Sequence, residues 1–146
     1  MNFGLYRAIN TLLLIGAVFI IGLAGWLDPD PTGVGTHMQL GLNRCVLLQE
    51  LNLPCPMCGM TTTFALMADL QWLAAFQNQP LGVVLFFLTC MVAIVSATEL
   101  IKPRSLWSTI STGLYGKEVT VLTVFFVLMV ASWGYKIVRM QIFLTV

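Results

Sequence analysis

The chain has 146 residues, of which 58% are hydrophobic and only 9% charged, with a formal net charge of +1. A soluble globular domain carries about a quarter charged residues, so this composition excludes a water-facing surface over most of the molecule and assigns that surface to lipid or protein. Near-neutral charge without a Lys/Arg run excludes a phosphate-binding face for nucleic acid. The length suits one membrane domain over 1–146.

The first apolar run is 8–26, Ala8 to Trp26. About 20 apolar residues at ~1.5 Å each cross a ~30 Å hydrocarbon core. A helix is required there because lipid offers no partners to backbone N–H and C=O groups. Tyr6 and Trp26 flank the run as interfacial anchors. An alternative is a cleaved signal peptide, with Met1 to Arg7 as its n-region and Gly22-Leu23-Ala24 as a small-residue site. The apolar core exceeds the ~7–15 residues usual for such a peptide.

Residues 27–80 form a cysteine-containing loop with short helices. Asp28-Pro29-Asp30-Pro31-Thr32-Gly33 is turn chemistry, and each proline pushes the Asp before it out of helical geometry. From Met38 to Leu51 the apolar residues Leu42, Val46, Leu47 and Leu51 recur at helical spacing, which predicts a short amphipathic helix ending before Pro54. After the cysteine motif, Thr61 to Thr63 are expected to cap a further helix over Thr63–Gln77. That helix reaches only ~21 Å and is predicted to lie in the interface or to re-enter between the spans. Asp69 is the acid inside it. An acid at membrane depth is costly and often functional, and the bland alternative is an Asp that snorkels to water.

The second span is predicted at 81–101, opened by Pro80 and stopped by Lys102-Pro103-Arg104, and the third at 119–138. Trp133 and Tyr135 form an aromatic belt at the end of the third, beside Lys136 and Arg139. Small residues would let helices approach closely: Gly16, Gly22 and Ala24 in the first span, Ala93, Ser96 and Ala97 in the second. Lys102, Arg104 and Lys117 make the loop between spans two and three the cytoplasmic one. The N-terminus is then cytoplasmic and the cysteine loop extracytoplasmic, in the inner (plasma) membrane. Lys136 and Arg139 argue weakly the other way. The fold class is thus an all-α membrane bundle of three transmembrane helices plus a short interfacial or re-entrant helix.

Cys55-Pro56-Met57-Cys58-Gly59 is the stretch that carries chemistry. Proline fixes φ after the first cysteine and glycine lets the chain turn after the second, so the sulfurs face one another. Three readings stand. As a metal knuckle, the pair supplies two ligands of the four a zinc or iron site needs, and Cys45 and His37 are the nearest further donors. As a redox pair, Cys55 and Cys58 precede a helix start that favours thiolate and could cycle between dithiol and disulfide. As a staple, Cys45 bridges to Cys55 or Cys58, and closing that short loop stabilises by roughly 3 kcal/mol in the chain-entropy account. His37 alone in a polar loop is more simply a solvated side chain. Cys90, about ten residues into the second span, reads as a small apolar side chain.

Pro54-Cys55-Pro56-Met57-Cys58-Gly59-Met60-Thr61, with Cys45 upstream and Asn78-Gln79-Pro80 downstream, resembles the bacterial membrane family called domain of unknown function 2752. The resemblance covers roughly Asp28 to Cys90. It implies the fold of this region and the importance of Cys45, Cys55 and Cys58, and implies no reaction. The family pattern has an arginine where this chain has Thr62, so a guanidinium role, such as pairing with Asp69, is in doubt here. The expectation is a non-catalytic subunit or accessory of a membrane complex, in contact with lipid and other membrane-protein subunits. The competing classes are a thiol–disulfide oxidoreductase using Cys55 and Cys58, and a transporter, for which Asp69 and Glu99 are the only acids near the apolar helices and Glu99, at the end of span two, can snorkel.

Overall fold

The computed structural model describes residues 3–102 and 106–144. Every regular element among them is helical: α1 (Phe3–Trp26), α2 (Val46–Leu51), α3 (Met60–Ala68), α4 (Trp72–Asn78), α5 (Pro80–Ile101), α6 (Leu106–Leu114) and α7 (Glu118–Leu144), with a 3₁₀ turn at Thr36–Leu40. Three helices are long and apolar enough to cross a membrane: Gly4–Trp26, Pro80–Ile101 and Glu118–Gln141. Their outward faces are rows of exposed Leu, Ile, Val and Phe, such as Leu12, Phe19, Phe87, Ile94, Leu122 and Phe126. In a water-soluble fold such faces would be buried; here they are the lipid-facing surface.

Pro80 sits at the first position of α5, where its missing N–H costs nothing. Gln79 before it is extended, at φ −158°, as a residue preceding proline prefers. At the other end Lys102 leaves the helix while donating its N–H to Thr98 O. The expected stop residues Pro103 and Arg104 lie outside the described residues.

Two predicted helices are broken. The helix expected over Met38–Leu51 is the 3₁₀ turn followed by α2, interrupted at Gly41, which takes φ +76°. The helix expected over Thr63–Gln77 is α3 and α4. Asp69 and Leu70 close α3 by turning backward, with Leu70 N–H donating to Met67 O at 3.2 Å and Gln71 N–H to Leu66 O at 2.8 Å. This is a Schellman cap, with Leu70 at φ +60° where glycine is usual. The threonines do not cap α3. The helix begins at Met60, after Gly59, and Thr63 Oγ1 donates to Gly59 O at 2.9 Å from inside the first turn.

The folded-back segments pack on the α1–α5 pair. Leu66 and Met67 of α3, Ala75 of α4 and Phe86 of α5 are buried together, and Phe64 meets Phe86 edge to face at 5.4 Å. Close approach occurs at Gly82, where a β-carbon would come within 2.8 Å of Thr63. Gly16 and Gly22 face open space instead, while Ala24 and Ser96 are buried.

At the end of the bundle opposite the cysteine loop, α6 is held by two buried residues. Asn10 Oδ1 accepts from Trp107 Nε1 at 2.8 Å, and Glu99 accepts from the backbone N–H of Leu106. Glu99 therefore does not snorkel: it is 1% exposed and serves the start of α6.

Candidate metal centre

Three of the four cysteines converge. The Sγ atoms of Cys45, Cys55 and Cys58 all lie within 4.8 Å of one another, and those of Cys55 and Cys58 are 3.4 Å apart, in thiol hydrogen-bond contact. All four cysteines carry free thiols.

The pair comes from a tight turn. Cys58 N–H donates to Cys55 O at 2.9 Å and Met60 N–H to Met57 O at 3.1 Å. Gly59 then adopts φ +86°, and a β-carbon there would fall 2.5 Å from Gly33 O. No other side chain fits that position. The prolines on either side of Cys55 are both held by their carbonyls. Trp133 Nε1 of α7 donates to Pro54 O at 2.7 Å, and Gln79 Nε2 donates to Pro56 O at 2.8 Å. Cys45 arrives from upstream as the cap residue of α2, its carbonyl accepting from Leu48 and Gln49.

Cys58 is buried, whereas Cys45 and Cys55 are half-buried. Burial lifts the Cys45 thiol, but the backbone N–H of Leu48, the thiols of Cys58 and Cys55, and the N–H of Leu47 outweigh it and bring the pKa down to about 7. Burial, followed by its interaction with Cys55, pushes Cys58 up to about 12.

These sulfurs fit a soft divalent cation. A tetrahedral zinc with Zn–S near ~2.3 Å separates its sulfurs by roughly 3.8 Å, close to the spacing already present. A structural zinc site and an iron–sulfur cluster each commonly take four protein ligands, so either would need one donor beyond these three sulfurs.

The other sequence candidates lie elsewhere. His37 is on the 3₁₀ turn with Nε2 3.2 Å from Asn43 O, and it is not part of the cysteine group. Asp69 is exposed at the cap of α3, apart from the cysteine group. Cys90 packs against the Leu66–Phe86 core. Thr62 is buried, and its hydroxyl lies 2.8 Å from that of Thr36. At this position the chain ties the Asp-Pro turn to α3 by a hydroxyl pair.

Residues 45–93 match the family described as protein of unknown function (DUF2752). The DUF2752 region takes in all three clustered cysteines and the start of the second span. Comparison with curated proteins and with solved structures gave no significant match.

Sequence reasoning missed the residues that hold the cysteine loop from outside. On α7, Ser132 Oγ accepts from Leu81 N–H at 3.4 Å, Tyr135 Oη donates to Gln77 O at 2.9 Å, and Arg139 donates to the same carbonyl. Trp133 and Tyr135 are thus hydrogen-bonded to the loop as well as belt-like. Lys136 is 3% exposed and donates to Asn78 Oδ1 at 2.6 Å and Gly33 O at 3.1 Å. Asn78 Nδ2 in turn donates to Gly59 O and Thr63 Oγ1. The sequence signal was five hydrogen-bonding side chains, Ser132, Trp133, Tyr135, Lys136 and Arg139, gathered at one end of an apolar helix.

Proposed function

We propose that this chain is a membrane-anchored carrier of a tris-cysteine metal centre that serves a larger membrane complex as a non-catalytic subunit or accessory. The observation that carries this reading is the arrival of the Cys45 sulfur, from a separate segment, within 4.8 Å of the Cys55–Cys58 pair. A disulfide uses two sulfurs, and a redox pair needs two; three converging thiols match a ligand set. Zinc is the favoured ion, with iron second. A tetrahedral ion held by three cysteines keeps one position for water or a donor from outside. The two half-buried cysteines leave that position open toward a partner subunit. Arg7, Lys102 and Lys117 lie at the end away from the cysteine loop and Arg44 in the loop itself; with Lys136 and Arg139 bonded to loop carbonyls, the remaining balance favours a loop on the extracytoplasmic side of the inner (plasma) membrane.

The test is metal content and thiol state measured on one detergent-purified sample. About one zinc or iron per chain, with Cys45, Cys55 and Cys58 alkylated only after chelation, is the expected result. No metal and one linked pair among the three would sink the metal reading and put the thiol–disulfide oxidoreductase in its place. Cys58→Ser would then abolish turnover while the protein still accumulates. A monomer alone on blue-native electrophoresis of membrane extracts would count against the accessory role.

A further inference from the structure

We infer that Lys136 is the counter-charge of the metal-loaded cysteine site, so that the third span stabilises the bound state of a divalent cation; this rests on the metal reading above. Lys136 Nζ is buried among neutral oxygens: Asn78 Oδ1 at 2.6 Å, Gly33 O at 3.1 Å and Asn78 O at 3.4 Å. A buried charge is costly unless an opposite charge accompanies it, and no carboxylate pairs with this ammonium among the described residues. Its partner Asn78 in turn donates to the carbonyl of Gly59, the residue that follows Cys58, and the other cation at this end of α7 is Arg139. Lys136 also presses on the turn itself, since a β-carbon on Gly59, next to Cys58, would meet Nζ at 2.8 Å.

The charge balance selects the ion. Three thiols that bind a divalent cation release three protons and leave a site of net charge −1. Lys136 keeps its proton, and the buried sum is zero. A monovalent ion would leave −1 uncompensated. A disulfide would leave the ammonium without any anion. Lys136 donates to carbonyl and amide oxygens, not to a cysteine sulfur, and acts as a positioning residue through the field at Cys58.

The experiment titrates the full detergent-solubilised chain with Co²⁺, read by its thiolate charge-transfer absorption, then competes with Zn²⁺. Melting temperatures are taken with and without metal. Lys136→Met and Lys136→Gln are expected to bind Co²⁺ roughly 10- to 100-fold more weakly, the range typical for outer-shell partners. Lys136→Arg retains near wild-type affinity. The metal-free melting temperature of the neutral variants stays level or rises, and their metal-induced rise shrinks. Wild-type affinity in both neutral variants overturns this proposal alone. So does an equal fall of the metal-free and metal-loaded melting temperatures, which is what a purely structural lysine gives. If neither neutral variant accumulates while Cys45→Ser does, the ammonium serves the fold, and the proposal is again overturned. Absence of Co²⁺ and Zn²⁺ binding by the wild-type chain removes the metal reading itself and this inference with it.

Discussion

A half-buried Cys45 with its pKa brought to about 7 and a buried Cys58 pushed up to about 12 react at very different rates, because the thiolate is the nucleophile. In metal-free, reduced protein at pH 8, iodoacetamide is expected to modify Cys45 well before Cys58. The sign with pH follows from the lowered value. Going from pH 8 to pH 6 passes through about 7 and cuts the Cys45 thiolate fraction about tenfold, so its labelling rate falls in proportion. Time-resolved mass spectrometry of the tryptic cysteines checks this, and equal rates for the two sites would contradict it. At this scale the sequence showed the thiols but not their surroundings. The Cys-Pro-Met-Cys-Gly spacing announces a turn because proline and glycine restrict the backbone locally. Lys136 and Asn78 were illegible because their partners lie 58 and 19 positions away, and a cation at the end of an apolar run looks the same whether it meets water or a buried carbonyl.

Among the helices, the long ones were readable and the short ones were not, for one physical reason. An apolar run that must cross lipid has no alternative to helix. A run of nine residues in a folded loop can stop wherever its carbonyls find other donors. The end of α3 shows this: nothing in Ala68-Asp69-Leu70-Gln71 marks a break, yet Leu70 stands in the left-handed region and closes the helix. A leucine there costs of order 1 kcal/mol or more relative to glycine, and at 75% exposure it buries little in return. Leu70→Gly is therefore expected to stabilise the fold by about 0.5–1 kcal/mol, after allowing for the looser unfolded chain. Denaturation in mixed detergent micelles measures it, and a clear loss of stability would mean that the exposed leucine is covered in the native assembly. The break at Gly41 was the more readable of the two, since the glycine lay inside the predicted helix.

Across the whole molecule, α1 and α5 pack along their length with α3 and α4 folded against them, whereas α7 meets the rest mainly through 132–139. Its earlier part, from Val119 to Val130, is exposed almost throughout. The polar end of α7 bears on the proposed orientation. Lys136 and Arg139 are engaged with loop carbonyls, which supports the proposed extracytoplasmic loop against the weak opposing signal of these two cations. The orientation with Arg7, Lys102 and Lys117 inside then predicts that a membrane-impermeant maleimide, applied to intact cells or spheroplasts after chelation, labels Cys45. Labelling only after the membrane is permeabilised would reverse the topology.

The clamp on α7 also has a consequence in time. The carbonyls of Pro54, Gln77 and Gly33 take their donors from residues made later. Seventy-five positions separate Cys58 from Trp133, and synthesis at ~5–20 residues per second puts roughly 4–15 s between them. For that interval the newborn cysteines are on the membrane without the helix that holds their turn. Whatever loads or oxidises them meets an open site during translation and a fastened one afterwards.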